Sequence, residues 1–317
     1  LPPGTRGNVL QLFRDTPAQW DAWDVDVEYR RAGEDLTSLE SLDVVSDSPR
    51  AVALRIVRRF GDSAVAQTLT LRAGAVALDI ETEVDWHERQ RMLKLAFPVD
   101  VHTASARSEI QFGHIERPTH TNTSWDTARF ETSAHRWVHV ADATFGVGVA
   151  NDSTYGHDIT RHPREGGGTY SLVRQTLLRA PLFPDPEADQ GRHVLRTAIV
   201  VGGVDDAIEN GYRLNLPLRT AVAPVVEPLV ASSAAAIVVE TVKFAEDGSD
   251  DLIVRLYEAH GSRVTGTIIA RFDHNAVVET DLLERRGAVD AVIETAGPAV
   301  TVALRPFQLV TLRFARS

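Results

Sequence analysis

Two polar segments of the chain carry the residue types that could bind a ligand, and the first covers residues 112–126. It contains Arg117, His120, Asn122 and Asp126. These side chains offer hydrogen-bond donors and acceptors on a connection that is too long for a simple hairpin. Long polar loops on rigid sheets often carry binding function. A solvated connection, held by a few turn hydrogen bonds, is the alternative interpretation of the same pattern.

The second polar segment, residues 151–158, follows an apolar stretch that reads as a strand. Tyr155 offers an aromatic face, and His157 and Asp158 offer hydrogen bonds. A tyrosine beside glycine in a loop fits the rim of a binding site, whereas an Asx turn would explain Asn151 without any ligand. Both interpretations stay open. Our seven candidates for substrate binding are Arg117, His120, Asn122, Asp126, Tyr155, His157 and Asp158.

The chain shows no complete catalytic or metal-binding motif. His135 and His139 lie in a strand-like stretch, which places them about 13 Å apart and too far apart to share one ion. The triple glycine at 166–168 lacks the lysine of a phosphate loop, and no nucleophile elbow occurs. The 44 acidic residues leave a carboxylate pair of the glycosidase type possible without identifying it. We therefore expect neither a metal site nor a cofactor in this segment.

Period-two alternation of apolar and polar residues dominates the elements that must position these side chains. Between residues 76 and 84 the apolar residues fall on one face and the acidic residues on the other, as expected of a half-buried strand. The same alternation occurs in Val52–Ile56, Leu93–Val101 and Val264–Phe272. Turn-forming stretches separate these strands, a spacing that favours antiparallel sandwiches. The predicted class is all-β.

The domain organisation follows from two departures from this pattern. A short helix is predicted over 205–211, with Asp205 capping its first turn and Gly211 ending it. Residues 217–228 carry three prolines and read as an extended connector. The strand pattern resumes after Ile237 over a length typical of a small immunoglobulin-like sandwich. We therefore expect a large β-sandwich over 1–220 and a small one over 221–317.

The composition excludes several classes of function. Hydrophobic residues make up 43% and charged residues 24% of the 317 residues, which are ordinary values for a globular protein. The formal net charge is −11 and the basic residues are scattered, so we expect no nucleic-acid partner. No apolar run reaches the roughly 18 to 20 residues of a membrane span, so we expect no membrane partner.

Three further features of the composition bear on the origin of the chain. It has no cysteine, which fits a reducing compartment. It begins at Leu1 rather than at methionine, from which we expect a segment of a longer polypeptide. All five tryptophans lie within the first 140 residues. They are aromatic residues of the kind that sugar-binding sites use, but packing in the core or at its rim is the favoured interpretation.

Several segments, in order along nearly the whole chain, resemble the C-terminal β-region of class II α-mannosidases, which are the family 38 glycoside hydrolases. The similarity is to the branch that includes bacterial and cytosolic enzymes. The segments that carry it are Gln19–Asp26, Phe112–Asp126, Gly148–Asp158, Leu177–Pro186, Ala188–His193, Val242–Gly248 and Arg255–Glu258.

The resemblance implies a large β-supersandwich of the mutarotase-like type followed by a small β-sandwich. It implies retaining hydrolysis of terminal α-linked mannose, with the nucleophile, the acid/base carboxylate and a zinc ion on an N-terminal α/β domain outside these residues. No catalytic residue is then expected in this segment. The implied partners are mannose-containing glycans and that upstream domain, in the cytoplasm. The loops around Arg117 and Tyr155 would form the substrate rim.

Two other functions remain open at this point. The supersandwich also hosts sugar epimerases of the aldose mutarotase type, in which His120 or His157 would act as acid or base. A non-catalytic carbohydrate-binding or structural module would need only a stacking aromatic residue and a few hydrogen bonds.

Overall fold

The computed structural model describes residues 1–218, 222, 227–287 and 291–316, and for residue 293 the backbone alone. The chain divides into two compact units. The first comprises Leu1–Glu109 and Ile115–Pro217, and the second comprises Ile110–His114 and Leu218–Ser317. The boundary that we predicted at residue 220 lies outside the described residues, as do 219–221 and 223–226 of the predicted connector.

The first unit is built on two antiparallel sheets of six and nine strands. The six-stranded sheet has the order β10-β13-β14-β7-β1-β2, and the nine-stranded sheet has the order β3-β4-β5-β6-β15-β12-β11-β8-β9. The strands are β1 (Val9–Arg14), β2 (Gly33–Asp35), β3 (Ser41–Ser48), β4 (Ala51–Phe60), β5 (Ser63–Arg72), β6 (Ala77–Trp86), β7 (Arg91–Val99), β8 (Ser105–Ile110), β9 (Gly113–Pro118), β10 (Thr132–Ser133), β11 (Trp137–Ala141), β12 (Gly146–Asn151), β13 (Gly156–Pro163), β14 (Thr169–Arg179) and β15 (Gly191–Val201).

The second unit is a smaller sandwich of two four-stranded antiparallel sheets, ordered β16-β19-β22-β21 and β17-β18-β23-β20. Its strands are β16 (Val230–Ser232), β17 (Ile237–Phe244), β18 (Leu252–Glu258), β19 (Val264–Ala270), β20 (Ala276–Thr280), β21 (Val292–Ala296), β22 (Ala299–Leu304) and β23 (Leu309–Ala315). Its core contains Val254, Leu256, Val302 and Phe314, which are fully buried. The predicted all-β class, a large β-sandwich followed by a small one, is confirmed.

The core of the first unit lies between the two sheets. Leu93, Leu95 and Phe97 of β7 pack in one cluster with Ile80 and Val84 of β6, as their period-two spacing predicts. The residues between them on β7 are also buried. Strand β7 therefore has covered side chains on both faces, one against the main core and one against the site described below.

Two helices are present in the described part of the first unit: α1 (Ser124–Ala128) and α2 (Val204–Asn215). Helix α2 starts after Gly203, whose N–H donates to the Asp206 carboxylate at 2.8 Å, and it continues past Gly211. The predicted cap at Asp205 and the predicted end at Gly211 are therefore wrong. Gly211 lies inside the helix, and a Cβ there would lie only 2.8 Å from the Trp137 ring.

Neither helix could serve as a membrane span, since no helix of the described residues is long and apolar enough to cross a bilayer.

One end of the nine-stranded sheet carries an apolar face that the described residues leave uncovered. The register pairs Val44 with Leu54 and Val52 with Leu71, so these side chains point to the same face as the core residues further along the sheet. We call this face the uncovered strip, and its exposed members are Leu42, Val44, Val52, Leu54 and Leu71. The burial that we expected at Val52 and Leu54 is therefore wrong.

Candidate functional site

A buried ion cluster occupies the outer face of the six-stranded sheet, on the side away from the main core. Its centre is Lys94 of β7, whose ammonium group is fully buried and donates to Glu131 and to Asp158 of β13, at 2.6 Å each. Burial of an unpaired charge is costly. Two carboxylates at hydrogen-bond distance offset that cost.

Further donors complete the cluster around Asp158. Arg174 of β14 lies directly opposite in the register and donates to Asp158 from Nε at 2.9 Å and from a terminal nitrogen at 2.8 Å. The Tyr29 hydroxyl lies 3.1 Å from Glu131 and 3.3 Å from Asp158. Tyr29 and Arg30 belong to a 3₁₀ turn over Val27–Arg31 that covers this part of the sheet.

The electrostatics of the cluster hold Lys94 and Asp158 charged. Burial would lower the pKa of Lys94, but the Asp158 and Glu131 carboxylates outweigh burial and raise it. Burial would raise the pKa of Asp158, but Lys94, Arg174 and Arg30 outweigh burial and lower it. At neutral pH the cluster therefore contains fixed charges of both signs, and we assign it a structural role in holding Glu131.

Glu131 connects this cluster to a groove on the surface. One of its carboxylate oxygens is bound by Lys94, and the other accepts a hydrogen bond from Thr176 Oγ1 at 2.7 Å. The groove has a volume of about 550 Å³, within the range of sites for small ligands. Among the residues that line it are Val25, Glu131, Tyr155, Gly156, Thr176, Arg179, Asp189 and His193.

Tyr155 stands at the rim of the groove. Its side chain is 60% exposed, and its ring packs against His135 with the centroids 5.7 Å apart. The following Gly156 begins β13 and pairs with Ser133 of β10. A Cβ at Gly156 would lie 3.0 Å from Thr176, so the chain passes close to the groove wall at this point. Tyr155 is thus held with one ring face available to a ligand.

His157 and Asp158 do not join Tyr155 in the groove. Strand β13 starts at Gly156, so successive side chains alternate between the faces of the sheet. Asp158 points into the ion cluster. His157 points the opposite way and is buried, with Nδ1 3.0 Å from the Tyr155 carbonyl. Burial lowers the pKa of His157, so its ring is neutral at pH 7.

The candidate residues of the segment 112–126 include one that contacts β10, the strand paired with β13, but the segment is not a simple loop. Arg117 belongs to β9 and donates to the Ser133 carbonyl at 3.1 Å, beside the strand that carries Gly156. His120 Nδ1 lies 3.4 Å from the Asp126 carboxylate. Asn122 is exposed. The expectation of an irregular connection is wrong, because the segment contains all of β9 and the start of α1.

Asp126 has a local structural partner. It forms a capping box with Thr123, in which the Asp126 carboxylate accepts the Thr123 N–H at 3.2 Å and the Thr123 hydroxyl accepts the Asp126 N–H at 3.1 Å. An Asx turn likewise engages Asn151, whose side-chain oxygen accepts the N–H groups of Ser153 and Thr154. Arg117, His120, Asn122 and Asp126 are not among the residues that line the groove.

Two neighbouring segments, which contain none of the seven candidate residues, present three large aromatic side chains next to the groove. Trp20, Trp23 and Phe183 are 69%, 66% and 63% exposed. The Asp21 carboxylate ties their two segments together by accepting the N–H groups of Leu182 and Phe183 at 2.9 and 2.8 Å. The expected core or rim packing holds for Trp86 and Trp137, which are buried, whereas Trp125 is 75% exposed.

Arg179 links this aromatic loop to the groove that it lines. Its guanidinium donates to the carbonyls of Asp21 and Asp24 at 3.2 and 2.7 Å. The same group donates to the buried Asp15 carboxylate at 2.5 Å. Burial raises the pKa of Asp15 even though Arg179 acts in the opposite direction. The Arg179 side chain therefore fixes the position of the loop relative to β14.

The zinc ion that the resemblance implies has no ligand set in the described part of the chain. No three His, Asp or Glu side chains there lie close enough together to hold a metal ion. His139, one of the two histidines considered from the sequence, has its Nε2 3.0 Å from the Gly202 carbonyl, and His135 packs against Tyr155.

Comparison with known proteins identifies two family domains in the chain. Residues 1–187 match the glycosyl hydrolases family 38 C-terminal domain. Residues 236–312 match the glycosyl hydrolases family 38 C-terminal beta sandwich domain. The two matches fall largely on the large and the small sandwich, respectively.

Curated relatives agree with this assignment. Human alpha-mannosidase 2C1 is 39% identical over 295 residues, which cover 89% of this chain and 28% of the relative. Alpha-mannosidase G of Dictyostelium discoideum is 32% identical over 332 residues, which cover 98% of this chain and 29% of the relative. The chain thus spans less than a third of the length of these curated relatives.

Among solved structures, an alpha-mannosidase from Enterococcus faecalis V583 superposes with a TM-score of 0.76 at 16% identity. The match covers 97% of this chain and 38% of that structure. At this identity the match shows the fold alone. The family match over more than half of the chain carries the assignment: this chain belongs to family 38 of the glycosyl hydrolases, and it contains the family's C-terminal domain and C-terminal β-sandwich domain.

Proposed function

We propose that this chain is the C-terminal β-region of an α-mannosidase that hydrolyses terminal α-linked mannose with retention of configuration. The region supplies the scaffold and part of the substrate rim. The nucleophile, the acid/base group and the zinc ion belong to the remainder of the longer polypeptide. One observation supports this division of labour: in this family 38 chain, the carboxylates that line the groove are hydrogen-bonded to other groups of the protein.

Both of these carboxylates already have protein partners. Glu131 is bound by Lys94 and Thr176, and Asp189 accepts the backbone N–H of Arg179 at 3.1 Å. A retaining glycosidase needs one carboxylate free to attack the sugar and a second free to transfer a proton. The groove therefore supports binding of a sugar better than it supports cleavage of one.

Tyr155 is the residue to which we assign the main contact with the mannoside. It offers an exposed ring face, and Glu131 below it offers carboxylate oxygens that can accept hydrogen bonds from sugar hydroxyls. Arg117 acts as a positioning residue through the Ser133 carbonyl. We retain His120, Asn122 and Asp126 as proposed rim residues of the neighbouring segment. His157 and Asp158 support the rim from within the sheet. With no cysteine in the chain, we place the polypeptide in the cytoplasm.

The first experiment tests the division of labour. The purified 317-residue chain is assayed with an aryl α-mannoside and is expected to show no turnover. The longer polypeptide is expected to hydrolyse the same substrate. Turnover by the 317-residue chain at an ordinary enzymatic rate would show that the nucleophile lies within it.

The second experiment tests the groove in the longer polypeptide. Tyr155→Ala is expected to raise KM about tenfold, which corresponds to about 1.4 kcal/mol of binding energy. Tyr155→Phe keeps the ring and should retain most of the affinity. Tyr170→Ala is the matched control, because Tyr170 stacks on His162 and does not line the groove. Unchanged kinetics in Tyr155→Ala would remove the groove from the substrate site.

A further inference from the structure

We propose that Trp20, Trp23 and Phe183 form a second sugar-binding surface, the aromatic platform, which takes an uncharged pyranose ring of the glycan beyond the mannose unit in the groove. This inference rests on the proposed function and extends it to a longer, neutral oligosaccharide. None of the three residues lines the groove, but Arg179 both lines the groove and holds the loop that carries the two tryptophans.

The platform is exposed although its residues are among the most hydrophobic in the chain. All three side chains are more than 60% exposed, and the rings of Trp23 and Phe183 lie 5.9 Å apart and tilted by 59°. Clustered exposed apolar groups on a protein surface mark binding sites more often than isolated ones do. The two tilted rings leave broad aromatic faces open to a ligand.

Hydrogen bonds also hold the backbone of the aromatic platform in place. The Asp21 carboxylate accepts two backbone N–H groups of the segment that carries Phe183, and the Ala22 N–H donates to the Phe183 carbonyl at 3.3 Å. Arg179 adds two hydrogen bonds to the carbonyls on either side of Trp23. The rings are thus fixed before a ligand arrives, which lowers the entropic cost of binding.

The backbone of Trp20 gives a second, independent indication of function. Its φ is 62° and its ψ is 20°, which is the left-handed region that bulky residues rarely adopt. A glycine or asparagine at this position would keep the turn without that strain. Strained backbone that the surrounding structure enforces is typical of functional sites, and here it presents a tryptophan side chain to solvent.

The charges around the platform define the ligand class. Asp24 and Asp185 are exposed within two residues of Trp23 and Phe183. Carboxylates accept hydrogen bonds from sugar hydroxyls, but they repel phosphorylated or otherwise anionic sugars. An apolar protein surface placed here would have to remove these carboxylates from water at a large cost. A neutral, hydroxyl-rich ring satisfies both the aromatic faces and the carboxylates.

The experiment uses isothermal titration calorimetry of the 317-residue chain with an α-linked mannotriose, up to about 10 mM because isolated subsites bind weakly. We expect a saturable heat of binding. Trp23→Ala and Trp20→Gly should each weaken binding at least about tenfold, and Trp23→Phe should weaken it less. Glycine favours the backbone angles of residue 20, and an unchanged melting temperature of each variant checks that loss of binding does not come from loss of the fold.

Two controls define the specificity. Trp125→Ala removes an equally exposed tryptophan from α1 and should leave binding unchanged. Mannose 6-phosphate should give no heat of binding. Binding of mannose 6-phosphate at the platform would overturn the proposed selectivity for neutral rings.

The remaining outcomes separate this proposal from the proposed function. If mannotriose binding depends on Tyr155 but not on Trp20 or Trp23, the platform is overturned and the groove stands. If the chain binds no mannotriose, the platform is also overturned. Its rings would then serve another contact, such as packing against protein. The proposed function is judged separately, by the turnover of the longer polypeptide and its Tyr155→Ala variant.

Discussion

Lys94 is a single charged residue that links several side chains on one face of the six-stranded sheet. It is one of only two lysines among the 33 basic residues of the sequence, and its side chain is fully buried. Its ammonium group joins β7 to β13 through Asp158 and to the groove through Glu131. Because each member of such a cluster neutralises the others, removal of one leaves the rest as buried, unpaired charge.

We expect Lys94→Met to lower the free energy of unfolding by about 3–5 kcal/mol, the usual cost of breaking a buried ion pair from one side. Urea denaturation of the 317-residue chain measures this loss. Arg196→Met is the control, because Arg196 pairs with Glu81 on the surface at 3.1 Å and exposed pairs contribute only about 0–1 kcal/mol. A loss at Lys94 no larger than that at Arg196 would contradict the structural role of the cluster.

At the residue scale, the sequence identified Tyr155 as a rim residue of a groove but could not sort its neighbours. His157 and Asp158 were grouped with it because the strand was not expected to begin at Gly156, and alternation then sends the two side chains to opposite faces. Packing was the favoured interpretation of Trp20 and Trp23 because aromatic type alone does not tell a buried ring from an exposed one. A lysine inside the apolar stretch of β7 was the available signal for the ion cluster.

Helix α2 shows, at the scale of elements, how packing overrides local preference. Gly211 matches the residue that commonly ends a helix, yet the helix continues for another turn. The glycine serves the close approach of α2 to β11, where the ring of Trp137 occupies the space that a side chain at 211 would need. Such a contact between residues far apart in the chain cannot be read from the sequence around either of them.

We therefore expect Gly211→Ala to destabilise the protein by about 1–3 kcal/mol through overpacking. In an exposed helix the same substitution would stabilise by up to about 1 kcal/mol, so the sign of the effect is diagnostic. Thermal unfolding measures it, with Glu209→Ala at an exposed position of α2 as the control. A higher melting temperature in Gly211→Ala would show that α2 lies further from Trp137 than described.

At the scale of the whole molecule, family resemblance and strand alternation predicted the all-β class and the order of the two sandwiches. They could not predict the uncovered strip. Alternation assigns Val52 and Leu54 to the same face as core residues, and this assignment holds. Whether that face is covered depends on how far the opposite sheet extends. The alternation pattern of a single strand carries no information about the opposite sheet.

The uncovered strip should make the 317-residue chain bind apolar dyes. We expect Leu54→Lys combined with Val44→Lys to reduce the fluorescence of such a dye about twofold, because charge breaks the continuity of an apolar surface. Val194→Lys, at an exposed valine on the opposite face of the same sheet, is the control and should change the fluorescence little. Equal fluorescence of the unmodified chain, the double variant and the control would show that the dye does not bind at the uncovered strip.

The burial of Lys94 also gives the molecule an internal chemical reporter. Of the two lysines, an amine-reactive reagent reaches Lys243 while the chain is folded, since Lys94 is enclosed between β7 and the 3₁₀ turn. A label on Lys94, located by mass spectrometry of its peptide, therefore reports that the sheet around β7 has opened. The rate at which this label appears follows that opening in the unmodified sequence.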